Sequence, residues 1–241
     1  MIELKNLSCS YDTTIILENI SLCIPSHLSI LGANGSGKST LAKAICNLIE
    51  FDGEIYLESE EIRTLQLKRR AELISYIPPK LSIYDEYISL EEFVLQGRFI
   101  HKNAFLEYSN ADKEKVKAHL ELLGISHLAQ SSVSSLSSGE QQLALISQAL
   151  TQESKYIIFD EPTANLDPKN SQKIALIIKA LKESHTILLI THDLQLAAFM
   201  ESDVLFIKDT KAHYFSDGFF NDAKLSELYE IKFSSMVASY D

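Results

Sequence analysis

The sequence predicts an α/β protein: a parallel sheet covered by helices on both faces, preceded by strands and interrupted by a helical insertion. Three observations predict it. Short unbroken apolar runs alternate with helical segments, as strands buried on both faces do. From about residue 90 to residue 150 the helical period dominates and strand signal almost disappears. A glycine-rich loop joins one buried strand to the helix after it.

The elements are expected in the following order. Ile2, Leu4 and Leu7 begin a strand. Residues 15–17 and 20–24 continue the pattern, with turn chemistry at Asp12-Thr13-Thr14. Residues 28–31 form a short apolar strand that stops at Gly32. Helical spacing of Leu41, Ala44, Ile45 and Leu48 predicts a helix over 38–49. Phe51-Asp52-Gly53 reads as a turn and 54–57 as a strand. In the middle, Val116, Leu120 and Leu123 share a helix face, and Gly124 is placed to stop it. A helix is expected to run to about Leu150 from a cap at Ser137. Residues 155–159 and 186–190 read as buried strands, 171–182 and 193–199 as helices, 204–207 as a strand and 213–215 as one more.

Composition narrows the class. The 241 residues are 46% hydrophobic and 23% charged, which excludes a disordered or collagen-like chain. A net charge of −11 argues against nonspecific binding to nucleic acid or anionic lipid. No stretch approaches the roughly 20 apolar residues that span a bilayer, and no secretory start is visible. Membrane work would therefore need another chain to do the spanning. Cys9, Cys23 and Cys46 lack paired spacing and are expected to be free, buried thiols of a reducing compartment.

The loop Gly32-Ala33-Asn34-Gly35-Ser36-Gly37-Lys38-Ser39-Thr40 fits G-x-x-x-x-G-K-[ST]. Between a strand and a helix, its N–H groups can turn inward toward phosphate, aided by the helix start. Lys38 supplies a point charge for the outer phosphates. Ser39 offers a hydroxyl to Mg²⁺, and Thr40 lies toward the α-phosphate. Residues 156–159 lead a buried strand into Asp160 and Glu161. Parallel strands bring their carboxyl ends together, so Asp160 is placed to hold Mg²⁺ and Glu161 to polarise an attacking water. Thr191-His192-Asp193 ends the next strand, and His192 can reach a γ-phosphate. Ser137, Ser138 and Gly139 open a helix whose start can bind an anion.

Taken together, these residues resemble the ATP-binding subunits of ABC transporters over nearly the whole chain. Residues 32–40 match Walker A, 156–160 Walker B, 136–140 the signature, 164–167 the D-loop with Asp167, and His192 the switch histidine. The resemblance implies a P-loop NTPase (RecA-like) core with an N-terminal antiparallel β subdomain and an inserted α-helical subdomain. It implies one ABC ATPase domain over 1–241, with 1–85 and 151–241 as the nucleotide-binding core and 86–150 as the helical signature subdomain. Glu161 and His192 are then catalytic, and Tyr11 matches the aromatic that stacks on adenine. Asn34, Gly35, Ser36, Gly37, Lys38, Ser39, Thr40, Ser137, Ser138, Gly139 and Asp167 bind ATP, with Ser39 and Asp160 on Mg²⁺. A head-to-tail homodimer sandwiching two ATP molecules is implied, each touching Walker motifs of one subunit and the signature of the other.

The match has gaps. Pro79 stands where the family usually has the Q-loop Gln, so its role falls to Lys80 or to water. Ser138 replaces the commoner Gly and Glu140 the common Gln, while Leu143 and Gln148 replace basic residues. Hydrolysis is therefore expected to be slow, or well coupled only in complex. Residues 90–101 resemble a segment of importer ATPases for iron-siderophore, haem, cobalamin or related metal chelates. Zinc or manganese importers and soluble non-transport ABC ATPases are the alternatives. The implied partners are separate permease subunits, docked near residues 84–101, and a substrate-binding protein, with no nucleic acid. The implied place is the cytoplasm, peripheral on the inner face of the inner or plasma membrane.

Overall fold

The structure, a computed structural model, describes residues 1–82, 85–102 and 107–233. β1 (Ile2–Tyr11) and β2 (Thr14–Ile24) form an antiparallel pair. Asp12 turns the chain between them with a φ of 51°. β3 (Leu28–Gly32) is wholly buried and feeds α1 (Lys38–Ile45). The expected helix to residue 49 ends earlier because Asn47 takes a left-handed φ of 52° and its N–H folds back on Ala44 O.

β4 (Asp52–Leu57) starts inside the expected turn at 51–53. Its Gly53 sits opposite a register shift in β1, with a φ of 88°; a Cβ there would come within 2.5 Å of the Lys5 and Asn6 carbonyls. The glycine marks a bulge rather than a turn. β5 (Glu60–Glu61) completes a four-stranded sheet of order β2-β1-β4-β5.

α2 (Leu67–Leu73) then runs directly into β6 (Ile74–Ile77). The helical stretch follows: α3 (Leu90–Leu95), a 3-10 helix over Gln96–His101, α4 (Asn110–Leu122) and α5 (Ser138–Gln152). Gly124 does end α4, at a φ of 71°. After it come β7 (Tyr156–Asp160), α6 (Pro168–Leu181), β8 (Thr186–Ile190), α7 (Leu194–Phe199), β9 (Asp203–Lys208), β10 (Lys211–Phe215) and α8 (Asp222–Tyr229). Pro168 at the first turn and Asp167 as cap start α6 before the expected residue 171. Asp193 caps α7 instead of opening it.

The second sheet has the order β10-β9-β3-β8-β7-β6, parallel except for the β9–β10 hairpin. Its central strands divide their side chains between two cores, as the period of two requires. Tyr156, Ile158, Leu188 and Ile190 pack toward α1 and the antiparallel sheet. Ile157, Phe159, Ile187 and Leu189 pack toward α5, α6 and the helical stretch. A third cluster gathers Phe206, Phe219 and Leu225 near α8.

The thiols depart from expectation at one position. Cys9 and Cys46 are buried, but Cys23 is exposed on the outer face of β2. Burial pushes the Cys9 thiol up to about 11 and Cys46 up to about 12, which keeps both protonated and unreactive.

Candidate active site

β3, β8 and β7 lie side by side, so the loop after β3 meets the carboxyl ends of the other two strands. The loop is shaped by its glycines. Gly37 has a φ of 101°, and a Cβ on it would lie 2.9 Å from both Ile16 and Leu17 of β2. Only glycine fits a left-handed backbone pressed so closely on a neighbouring strand. Gly37 is also the cap of α1 and makes no side-chain capping bond; the first turn holds no acidic residue. The first amides of α1 are thus free of side-chain partners and favour an anion. Ser36 Oγ is buried without a hydrogen-bond partner, an orphan group that a phosphate oxygen would satisfy. Asn34 and Gly35 are exposed on the outer bend, and Thr40 is buried in α1.

Lys38 is only 6% exposed. Its Nζ donates to Gly32 O and Ala33 O, each at 3.0 Å, and stands 4.0 Å from Glu161 Oε1. Burial pulls its pKa below the ordinary lysine value, opposed by the charges of Glu161 and Asp160. Its charge is therefore aimed at the site and little screened by solvent.

Asp160 is 1% exposed, and both its oxygens are engaged. Ser39 Oγ donates to Oδ1 at 2.9 Å, and Tyr76 Oη donates to Oδ2 at 2.6 Å. A hydroxyl and a carboxylate at this spacing form an all-oxygen donor pair. Among the described residues no group of three or more His, Cys, Asp or Glu is arranged to cage a metal. That combination suits Mg²⁺, which keeps waters and binds through one or two protein oxygens plus phosphate.

Glu161 turns the chain at a φ of 50°, and its N–H bonds to Ile190 O at 2.9 Å. Its Oε2 lies 2.8 Å from His192 Nδ1 and accepts from His192 N–H at 3.3 Å. A carboxylate only accepts, so this contact fits the tautomer with the hydrogen on Nδ1. The His192 side chain is 59% exposed, against 16% for Glu161.

The structure thus brings together Lys38, Ser39, Asp160, Glu161 and His192. It adds Tyr76, which the sequence reading missed. Burial chiefly, and then Asp160, pushes its hydroxyl pKa up, with a smaller contribution from Tyr11. Tyr11 itself is 48% exposed at the end of β1. The signal for Tyr76 was a short run, Ile74-Ser75-Tyr76-Ile77, hidden behind a helix without an intervening loop.

Ser137, Ser138, Gly139 and Asp167 form a second group. Ser137 caps α5 in a reciprocal box with Glu140: Ser137 N–H and Oγ donate to Glu140 Oε2 at 2.8 and 2.6 Å. These bonds hold the Glu140 carboxyl below its ordinary range. Asp167 caps α6, accepting from Asn170 N–H at 3.0 Å and Nδ2 at 2.6 Å. The two helix starts touch, since a Cβ on Gly139 would lie 2.8 Å from Asn170 Cγ. Ser137, Ser138 and Asp167 are exposed. Their hydrogen bonds run within this group and not to Lys38, Ser39 or Asp160.

Pro79 is exposed just beyond β6, the strand beside β7. Neither Pro78 nor Pro79 has an N–H to offer.

Comparison with known proteins follows the same outline. The ABC transporter family profile matches residues 17–164. The petrobactin import ATP-binding protein FpuD of Bacillus anthracis is 31% identical over 217 residues, covering 88% of this chain and 79% of the relative. The manganese transport system ATP-binding protein MntB of Bacillus subtilis is 33% identical over 201 residues, covering 81% and 78%. Among solved structures, a metal-chelate type ABC transporter in an inward-facing conformation superposes with a TM-score of 0.82 at 25% identity, covering 96% of this chain and 89% of that one. The dimeric cassette MJ0796 with ADP and Pi gives 0.79 at 27%, covering 91% and 100%.

Proposed function

The chain belongs to the ABC transporter family as an ATP-binding, ATP-hydrolysing subunit, and we propose that it powers import of an iron-siderophore or related metal chelate through separate permease subunits. The observation that carries the reading is the strand-end cluster of Lys38, Ser39, Asp160, Glu161 and His192 within a family match. The import ATPase from Bacillus anthracis and the metal-chelate transporter support the substrate class. The manganese relative, of similar identity, supports a second reading as a manganese importer.

In this proposal the loop amides and Lys38 hold the β- and γ-phosphates of ATP. Ser39 and Asp160 hold Mg²⁺, which when bound neutralises charge on the phosphate oxygens. Glu161 accepts a proton from the attacking water, a role worth about 10²–10⁴-fold in rate. His192 orients Glu161 through Nδ1 and presents Nε2 to the γ-phosphate side. Tyr11 packs against the adenine. Ser137, Ser138 and Gly139 contact the ATP of a second subunit, with Asp167 beside them in the interface. ATP bound between two subunits favours the closed dimer over the open one. The dimeric cassette supports that arrangement. Residues 1–85 and 151–241 would act as the nucleotide-binding core and 86–150 as the part that carries the signature.

Among the described residues no helix is long and apolar enough to cross a membrane. Docking to a permease on the cytoplasmic face therefore needs an exposed surface. An apolar groove of about 540 Å³ offers one, lined by Leu48, Leu67, Phe99 and Ile100. Leu48, Leu67 and Phe99 are 57%, 74% and 67% exposed. Phe99 and Ile100 fall within the docking region expected from sequence; Tyr84 lies outside the described residues. A substrate-binding protein would complete the system.

Uptake by cells lacking this chain tests the substrate. Loss of radioiron–siderophore uptake with manganese uptake intact is the expected result. Loss of manganese uptake alone would support the second reading instead.

A further inference from the structure

We propose that Tyr76 is a positioning residue for the cation-facing carboxylate of Asp160. Its hydroxyl holds Asp160 through Oδ2, which leaves Oδ1, the oxygen beside Ser39, as the one that would meet the cation. The inference rests on the reading of Asp160 as a holder of Mg²⁺.

A carboxylate at a strand end turns easily about its last torsion, which has broad, shallow wells. Asp160 is held at both ends instead, by Ser39 Oγ on Oδ1 and Tyr76 Oη on Oδ2. Two donors on opposite oxygens set the plane of the group. Asp160 is 1% exposed, so an oxygen that loses its donor is left unsatisfied in a buried place.

The sheet register shows why a tyrosine does this. Tyr76 pairs with Ile158, two residues before Asp160. Its donor must reach forward by about two strand residues, roughly 6–7 Å. A serine or threonine at 76 would fall short of that offset. The two residues directly beyond β6 offer no substitute: Pro78 and Pro79 lack both N–H and side-chain donors. The tyrosine hydroxyl therefore provides, from β6, the donor that this proline pair does not.

The test measures ATP binding by Tyr76→Phe, with and without Mg²⁺, and Mn²⁺ binding in the nucleotide complex by electron paramagnetic resonance. Phenylalanine keeps the ring and its packing. Expected are unchanged ATP affinity in chelator, an approximately 10-fold higher half-saturating Mg²⁺ concentration and an altered Mn²⁺ spectrum. An unchanged cation dependence would overturn the proposal. So would an equal loss of ATP affinity with and without cation, which would mark Tyr76 as a packing residue only. Asp160→Asn separates the two levels. If it abolishes cation dependence while Tyr76→Phe leaves it intact, Asp160 holds the cation unaided and the proposal fails alone. If Asp160→Asn leaves cation dependence unchanged, the reading of Asp160 fails and the proposal falls with it.

Discussion

The phosphate-loop group and the signature group are built on different principles. In the first, side chains from α1, β6, β7 and the loop after β8 converge around buried Lys38 and Asp160, and their hydrogen bonds cross between elements far apart in sequence. In the second, Ser137 and Asp167 are exposed caps whose bonds close within three residues. The first is a site assembled by the fold of one chain. The second is an exposed surface at two capped helix starts. On the proposed reading, one subunit carries two unlike halves of a site: one that would grip a nucleotide and one that would recognise a nucleotide already gripped.

Substitutions in the two groups should therefore fail differently. Glu161→Gln is expected to lower hydrolysis most, by about 10²–10⁴-fold, with ATP affinity kept; a phosphate-release assay beside equilibrium binding separates the two. Retained hydrolysis would remove Glu161 from the chemistry. Lys38→Ala should weaken ATP binding about 10- to 100-fold, the loss of a charged hydrogen bond worth about 1.5–3 kcal/mol; calorimetric titration reads it. Ser137→Ala removes a cap worth about 1 kcal/mol and should weaken ATP-driven dimerisation several-fold while the monomer binds ATP as before. A drop in monomer affinity would erase the distinction between the two groups.

The smallest effect is acid loosening of the helical side. Hydrogen bonds from Ser109 first, and then from buried Arg98, hold Asp112 at about 2. The folded value lies below the unfolded one of about 3.9, so Asp112 stabilises fully above that value. The contribution is lost as pH falls from about 4 through about 2. Urea midpoints across this range should fall less steeply for Asp112→Asn than for the parent chain.

Much of this contrast was legible in the sequence because it rests on local signals. Gly37-Lys38 after a buried strand, Asp160-Glu161 at the end of another, and Ser137 three residues before Glu140 each declare a strand end or a helix start. What escaped was non-local or lacked punctuation. Leu73 to Ile74 passes from helix to strand with no Gly, Pro or Asn between them, so α2 and β6 gave no boundary. Tyr76 went unseen with them, because its meaning lies in a register across the sheet and a bond to a residue 84 positions away. Gly53 misled in the opposite sense: its left-handed backbone signals a bulge pressed on β1 as readily as a turn.

In the proposed dimer the exposed signature face of one subunit completes the phosphate site of another. Sedimentation equilibrium of Glu161→Gln with ATP and Mg²⁺ tests it most directly. Expected is a dimer that holds two ATP molecules and whose dissociation constant rises several-fold when Ser137→Ala is added. A monomer saturated with one ATP, or a dimer indifferent to Ser137, would contradict it.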